Sequence, residues 1–477
     1  MKMKKIITAK YLILLFCIVG LGACKVPVIS GKEESKSVPK AYHQSQDTLN
    51  STSIKWRAYF SDPNLHAIID TALLNNQELN ITLQEIELTK NEIMTRKGEY
   101  LPFVNLGVGA GLEKAGKYTL DGISEEDWKH SPDKEHEYIG DFFAGASFSW
   151  ELDVWNKLRN AKKSAVLKYL STTEGKNFMV TNIIAEIAES YYELLALDNL
   201  MAIIQQNIEL QTNALKVVKL QKDAAKVTQL AVNRFDAQLL NTINLQYEIQ
   251  QKIIETENRI NFLAGRFPQH IARNSADFNN SPLNMIQSGI PSQLLVNRPD
   301  IRQAELELAA AKIDVQVAKA NFYPSFRLTA GLGFQAFNPA YLVKPESILY
   351  NLAGDMVAPL INKNAIKASY FNANLQQVQA VYNYERSILN AHIEVVNQLS
   401  RIGNFTRSYE TKSKEVEILT QSITISNSLF YSARADYMEV LLTQREALES
   451  RMQQIEIKMK QLNAKVNIYK ALGGGWN

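Results

Sequence analysis

Side chains able to do chemistry are few and scattered in this sequence of 477 residues. Its six histidines are dispersed, and only His130 and His136 stand close together, within an acidic stretch. That pair is compatible with a metal contact, but solvated loop residues are the commoner outcome for histidines so placed. Walker A, G-x-S-x-G and H-E-x-x-H patterns are absent, as is any cysteine cluster. An enzyme therefore has no residues to rest on, and neither a cofactor nor a metal centre is expected. The balance of 52 basic against 49 acidic residues argues equally against a nucleic-acid partner.

The two cysteines, Cys17 and Cys24, both fall at the N-terminus. Lys2, Lys4 and Lys5 precede an apolar run over residues 11–19, which ends at Leu21-Gly22-Ala23-Cys24. That order is a charged n-region, an h-region and a small-residue cleavage site. The run is too short for a membrane-spanning helix, which takes roughly 20 residues, so residues 1–23 read as a cleaved signal peptide. Leu-Gly-Ala-Cys resembles the bacterial lipoprotein consensus, which implies cleavage before Cys24 and acylation of its thiol and new amino group. A chance cysteine after an ordinary signal is the alternative. Lys25 follows, so the aspartate that lipoprotein sorting rules associate with inner-membrane retention is absent. Lipidation would occupy the last cysteine of the mature chain and leave no disulfide.

Residues 24–50 are polar and punctuated by Pro, Gly and Ser, as a lipid-anchored tether would be. Beyond them the chain repeats itself at a spacing of about 220 residues. Tyr100-Leu101-Pro102-Phe103 followed by VNLGVGAGL answers Phe322-Tyr323-Pro324-Ser325 followed by FRLTAGLGF. Each copy then passes a second β-like segment and a very long helical pattern, ending at Phe262-Leu263-Ala264-Gly265 and at Tyr469-Lys470-Ala471-Leu472-Gly473. The spacing predicts a first repeat over residues 51–265, a linker over 266–291, a second repeat over 292–473 and a tail over 474–477. Each repeat holds a hairpin, 102–150 or 325–358, and long helices, 153–263 or 365–472. Asn297-Arg298-Pro299-Asp300 is a helix start, with proline at the first helical position and aspartate complementing the dipole. The stretches 153–223, 228–263, 365–429 and 437–472 contain no proline and little glycine. At 1.5 Å per residue the two longest would each extend roughly 100 Å, so they must pack on one another in coiled-coil fashion.

Four segments alternate with period two. In the first, Val104, Leu106, Val108, Ala110 and Leu112 oppose Asn105, Gly107, Gly109 and Gly111; in the third, Phe326, Leu328, Ala330, Leu332 and Phe334 oppose Ser325, Arg327, Thr329, Gly331 and Gly333. The second presents Phe142, Ala144, Ala146, Phe148 and Trp150, and the fourth Ile348, Tyr350, Leu352 and Met356. About ten residues with one apolar face and aromatics near the ends is the pattern of a transmembrane strand, and equally of a surface strand in a soluble sheet. With no long apolar run elsewhere, a membrane crossing has to be made by strands closed into a barrel. Four strands close nothing, since such barrels start at about eight. Two chains would give a barrel that its own side chains fill, and three one that leaves a lumen. The intervening loops, 113–138 and 338–346, would then face the exterior.

Pro291-Ser292-Gln293-Leu294-Leu295-Val296-Asn297-Arg298-Pro299-Asp300-Ile301-Arg302, with Ala318-Lys319-Ala320-Asn321-Phe322-Tyr323-Pro324-Ser325, resembles the opening of the second repeat in the TolC/OprM-like outer-membrane factors. Ser149-Trp150-Glu151-Leu152-Asp153-Val154-Trp155 is similar to their strand-to-helix junction, and YKALGGGW at residues 469–476 to their C-terminus. The resemblance implies an α+β membrane protein: a homotrimer with a 12-stranded outer-membrane β-barrel, four strands per chain, continued by a long periplasmic α-helical barrel with a gate at its tip. It implies a lipid-anchored outer-membrane channel of an efflux system, exporting drugs, other small molecules or metal ions with a periplasmic adaptor protein and an inner-membrane pump of RND type. By comparison with the family's tip, Tyr431, Asp436 and Arg445 are the candidates for closure, and Arg234, Asp236, Arg434 and Glu439 are the other charges nearby. Ordinary solvated helix positions are the alternative for each. The turns carry alanine where the family often has glycine, in Lys222-Asp223-Ala224-Ala225-Lys226 and Ser432-Ala433-Arg434. A conduit for protein (type I) secretion and a poreless coiled-coil lipoprotein stay open, with the lipoprotein motif favouring efflux.

Overall fold

Period-two alternation in four separate segments resolves into one antiparallel sheet. The structure, a computed structural model, describes residues 26–42, 54–114, 139–276, 278, 287–432 and 434–476. Within them β1 (Phe103–Glu113), β2 (Ile139–Leu152), β3 (Ser325–Ala336) and β4 (Ile348–Val357) pair in the order β1-β2-β3-β4. The register keeps like with like across the strands. Leu106, Ala146, Leu332 and Tyr350 lie abreast in one row, and Asn105, Ser147, Gly331 and Asn351 in the next. A one-residue slip of any strand would turn its apolar side chains onto the polar face, so the alternation itself fixes the pairing.

The helices are α1 (Pro63–Asn75), α2 (Gln77–Tyr100), α3 (Lys157–Asp223), α4 (Gln229–Leu263), α5 (Pro299–Ala320), α6 (Asn364–Tyr431) and α7 (Tyr437–Ala471). With no internal proline, α3 and α6 run unbroken for 67 and 68 residues. Each follows a strand through an asparagine in the left-handed region, Asn156 at φ 57° and Asn362 at φ 54°, a conformation asparagine tolerates better than most. Asp153 accepts from the Leu158 and Arg159 backbone N–H groups at 3.0 and 2.9 Å, so its carboxylate meets the start of α3. The strand therefore persists to Leu152, and the helix begins four residues later than residue 153. No helix among the described residues is long and apolar enough to cross a membrane.

Two compact units each draw on both halves of the sequence. One joins the N-terminal residues as far as Glu33 to Leu88–Tyr169 and Leu306–Val381, and contains the sheet. In it Ala318, Phe322, Tyr370 and Ala373 form a small core that Val26 and Ile29 help to cover. The other unit joins Glu34–Glu87, Leu170–Glu305 and Tyr382–Asn477 and is helical. Its core takes Leu65 and Ile69 from α1, Ile187, Tyr191 and Leu194 from α3, Ile260 from α4, and Leu462 and Tyr469 from α7.

Segments whose composition suggests loose chain are held in place. Lys36 pairs with Glu305 at 2.6 Å, and Asn374 donates to the Ser30 carbonyl at 3.2 Å. In the segment after α4, Arg273 bonds Asp198 at 2.6 Å and Glu257 at 2.5 Å, pinning it to α3 and α4. Polar side chains here serve as specific partners and not merely as solubilising surface.

Candidate functional site

The sheet offers two contrasting faces. One is a band of Leu106, Val108 and Leu112 on β1 and Tyr350, Leu352 and Met356 on β4, all largely exposed. Its size and continuity exceed what a solvated surface tolerates. The opposite face carries Asn105, Ser147, Thr329 and Asn351 with Gly107, Gly145 and Gly333. On it Gln335 donates to Asp141 at 2.8 Å. Both edges of the sheet, β1 and β4, carry a pairing partner on one side only. A wall with one oily face, one wet face and two open edges is an incomplete object.

At the first helical turn, between α3 and α4, a Schellman motif ends α3: Lys226 N–H donates to the Gln221 carbonyl at 2.8 Å and Ala225 N–H to that of Lys222 at 2.9 Å. Ala225 occupies the left-handed position at φ 58°, where a Cβ costs about 1–2 kcal/mol and glycine pays nothing. The second turn, between α6 and α7, makes the matching long bond, Arg434 N–H to the Leu429 carbonyl at 2.9 Å. Ala433 itself lies outside the described residues. Ala225→Gly is accordingly expected to stabilise the first turn by about 1 kcal/mol, read as slower amide exchange at Ala225 and Lys226. Unchanged exchange would mean that the alanine carries no strain.

The two turns belong to one packed region. Leu215 and Val218 of α3 and Ala231, Val232, Phe235 and Leu239 of α4 form a core, against which Tyr437 and Leu441 of α7 pack. Across the same boundary the Arg234 guanidinium points at the Met438 sulfur. The gate candidates sit around this core, facing out. Tyr431 is the last residue of α6 and is 68% exposed. Asp436 is the residue preceding α7, and its carboxylate makes no capping bond. Glu439 falls in the first turn of α7, and Arg234, Asp236, Arg434, Asp436, Glu439 and Arg445 are all exposed. Among the described residues none of these six charges has an ion-pair partner in its own protomer. They are not brought together into a cluster; each is left facing outward. Cys24, His130 and His136 lie outside the described residues.

Some buried polar residues of α7 and of the helix start at 297–300 carried no signal of burial in the sequence. Lys458 stacks over the Tyr409 ring at 5.3 Å, and burial, with Lys458 nearby, pushes the Lys465 ammonium down to about 7. Arg298, 4% exposed, holds both carboxylate oxygens of Asp300, at 2.9 and 2.7 Å, together with Glu394 at 2.7 Å.

Comparison with known proteins fits this geometry. Residues 68–266 and 290–474 match the family described as outer membrane efflux protein. The pyoverdine export outer membrane protein OpmQ of Pseudomonas aeruginosa is 26% identical over 426 residues, covering 88% of this chain and 87% of its own. The cation efflux system protein CusC of Escherichia coli is 24% identical over 447 residues, covering 92% and 93%. Among solved structures, the open state of the Neisseria gonorrhoeae MtrE outer membrane channel superposes with a TM-score of 0.83 at 20% identity, over 95% of this chain and 99% of that one. A chain matched over both halves by one family, carrying that family's sheet and paired long helices, belongs to the outer membrane efflux protein family.

Proposed function

We propose that three copies of this chain assemble into one outer-membrane conduit, anchored by a lipid on Cys24 and held shut at its helical turns until a periplasmic adaptor and an inner-membrane pump engage it. The observation that carries this reading is the sheet with two open edges and two unlike faces. In lipid an unpaired edge costs several kcal/mol per group, so β4 of one copy must pair with β1 of the next. Three sheets of four make a twelve-stranded barrel with an open lumen.

The helices support assembly with further copies. On α4, Leu240, Tyr247 and Ile254 are 60%, 68% and 44% exposed at a strict seven-residue spacing. Leu375, Tyr382 and Leu389 on α6 repeat the pattern at 58%, 58% and 59%. Unpartnered heptad seams are the surfaces on which neighbouring copies supercoil. Turned inward, the polar face of the sheet is uncharged from Phe143 to Ser149 of β2 and across the strands paired with them. That suits a passive duct, with selection among solutes left to the pump. The names of OpmQ and CusC, for pyoverdine export and cation efflux, support a cargo of small molecules or metal ions.

Closure needs links that are weak one by one. Exposed ion pairs contribute about 0–1 kcal/mol each, and a ring formed between copies by Asp436, Glu439, Arg445, Arg234 and Asp236, with Tyr431, yields to an adaptor's binding energy. The test is single-channel current in planar bilayers from the purified assembly. The expected result is a small conductance that rises several-fold in Asp436→Ala and in Arg445→Ala. An assembly of three chains that passes no current in any of these forms would overturn the channel reading.

A further inference from the structure

On the polar face of the sheet one row is glycine on three of its four strands, with Leu349 of β4 completing it. Gly107 of β1 pairs with Gly145 of β2, which pairs with Gly333 of β3. Glycine weakens a strand interior and marks a place where something else approaches the backbone closely. Here that something is the ring of Phe143, two residues before Gly145 on the same strand and so on the same face. A Cβ on Gly145 would stand 2.9 Å from Phe143 Cζ, one on Gly333 3.2 Å from Cε2, and one on Gly107 3.7 Å from Cε1. One ring thus lies flat over three strands, in the space that three side chains would otherwise fill.

We propose that Phe143 is the residue that sets the bore of the conduit at this level, and that the glycine row exists to seat its ring against the wall. The proposal rests on the reading of the polar face as a lumen. A phenylalanine standing off a strand would reach into the passage from each of three copies. Seated on glycines, it adds little more than the thickness of an aromatic ring and covers backbone that would otherwise be bare, as aromatic side chains do for strand glycines elsewhere. The neighbouring row uses the same device on a smaller scale, since a Cβ on Gly331 would meet Asn351 Oδ1 at 2.6 Å.

Gly107 is the position at which this can be tested without breaking the sheet. Cβ atoms on Gly145 and Gly333 would also collide with facing backbone at 2.8 Å, whereas one on Gly107 meets nothing closer than the ring. The probe site is Ser147→Cys, one row nearer the helices on the same face, which a reagent entering from the hairpin loops reaches only after passing the ring. The experiment labels Ser147→Cys in intact cells with hydrophilic maleimides of graded size, the unsubstituted chain serving as the blank for Cys17 and Cys24.

In the Gly107→Leu background the larger reagents should lose access while the smallest still reacts, and adding Phe143→Ala should restore the larger ones. Gly109→Leu, on the same face with nothing within 4 Å of its Cβ, should narrow the passage by its own bulk with no rescue by Phe143→Ala. Should Gly107→Leu fail to reach the outer membrane, Phe143→Trp makes the comparison without touching the glycines, because the larger ring overfills the seat and should exclude the larger reagents. A Gly107→Leu block that persists when Phe143 is alanine, or a tryptophan that leaves the size limit unchanged, overturns the proposal. Failure of even the smallest reagent to reach Ser147→Cys in the otherwise native chain would instead overturn the lumen reading beneath it.

Discussion

Gly265→Ala is expected to abolish assembly, with a cost of about 3 kcal/mol or more from backbone strain and collision together. Gly265 ends α4 in a Schellman motif, Arg266 N–H to the Asn261 carbonyl and Gly265 N–H to that of Phe262, both at 3.0 Å. It sits at φ 66°, where an added Cβ costs about 1–2 kcal/mol before any contact is considered. That Cβ would also fall 2.2 Å from the Asn75 carbonyl oxygen and 2.7 Å from its carbon. Backbone cannot swing aside as a flexible side chain can, so the ends of α1 and α4 would have to part. Gly473 repeats the arrangement at the end of α7, with φ 94° and a Cβ position 2.5 Å from the Asn297 carbonyl oxygen. Gly98→Ala is the control, in a helix with open space around it, and should be neutral or stabilising by up to about 1 kcal/mol. The midpoint for heat dissociation of the detergent-solubilised assembly separates them. A Gly265→Ala protein that assembles and melts like Gly98→Ala would show that the close approach is not needed.

These glycines also show how much was legible in advance. Phe262-Leu263-Ala264-Gly265 and Tyr469-Lys470-Ala471-Leu472-Gly473 could be read as helix ends because a left-handed cap selects glycine locally. Helix lengths and strand faces were legible for the same reason: they follow from spacing along one segment. The backbone on which each glycine lands, Asn75 for Gly265 and Asn297 for Gly473, is distant in sequence, a product of packing, and leaves no local trace. Phe143 illustrates the limit. Alternation correctly assigned Phe142 to the apolar face, but nothing in the period-two pattern says that its neighbour's ring is spread over glycines of two other strands. The charges at the helical turns are legible from their places near the turns and, for Asp436 and Arg445, from the family resemblance, whereas their want of ion-pair partners within the protomer is a product of packing. Lys458 and Lys465 show the same limit: lysines in a long polar helix are usually solvated, and only the packing of α7 buries them.

Arg298→Met should be the most damaging side-chain replacement, with an expected loss of about 3 kcal/mol. In the sequence, the helix start Asn297-Arg298-Pro299-Asp300 acts through its proline and aspartate. The structure adds a buried guanidinium that grips Asp300 with two parallel bonds, reaches Glu394 on α6, and donates to the Ala471 carbonyl at 2.9 Å. Asp300 is 20% exposed and Glu394 49%, so truncation strands one carboxylate in poor solvent and a helix-end carbonyl with no donor. The loss stays at the low end of the range for a broken buried pair because water can reach Glu394. The first repeat makes a corresponding contact with a neutral residue: Asn76 donates to the Leu263 carbonyl and accepts from Leu79 N–H, both at 2.9 Å. Asn76→Ala removes a cap and one buried bond but leaves no charge behind, for about 1–2 kcal/mol. Arg298→Lys should fall nearer to methionine than to wild type, since an ammonium cannot serve Asp300 bidentately and still reach the other two acceptors. The order of heat-dissociation midpoints, wild type above Asn76→Ala above Arg298→Lys and Arg298→Met, checks all three. If Arg298→Met were no worse than Asn76→Ala, the paired charges would add nothing to the neutral contact, and the second repeat would be held by its glycine and its helix packing alone.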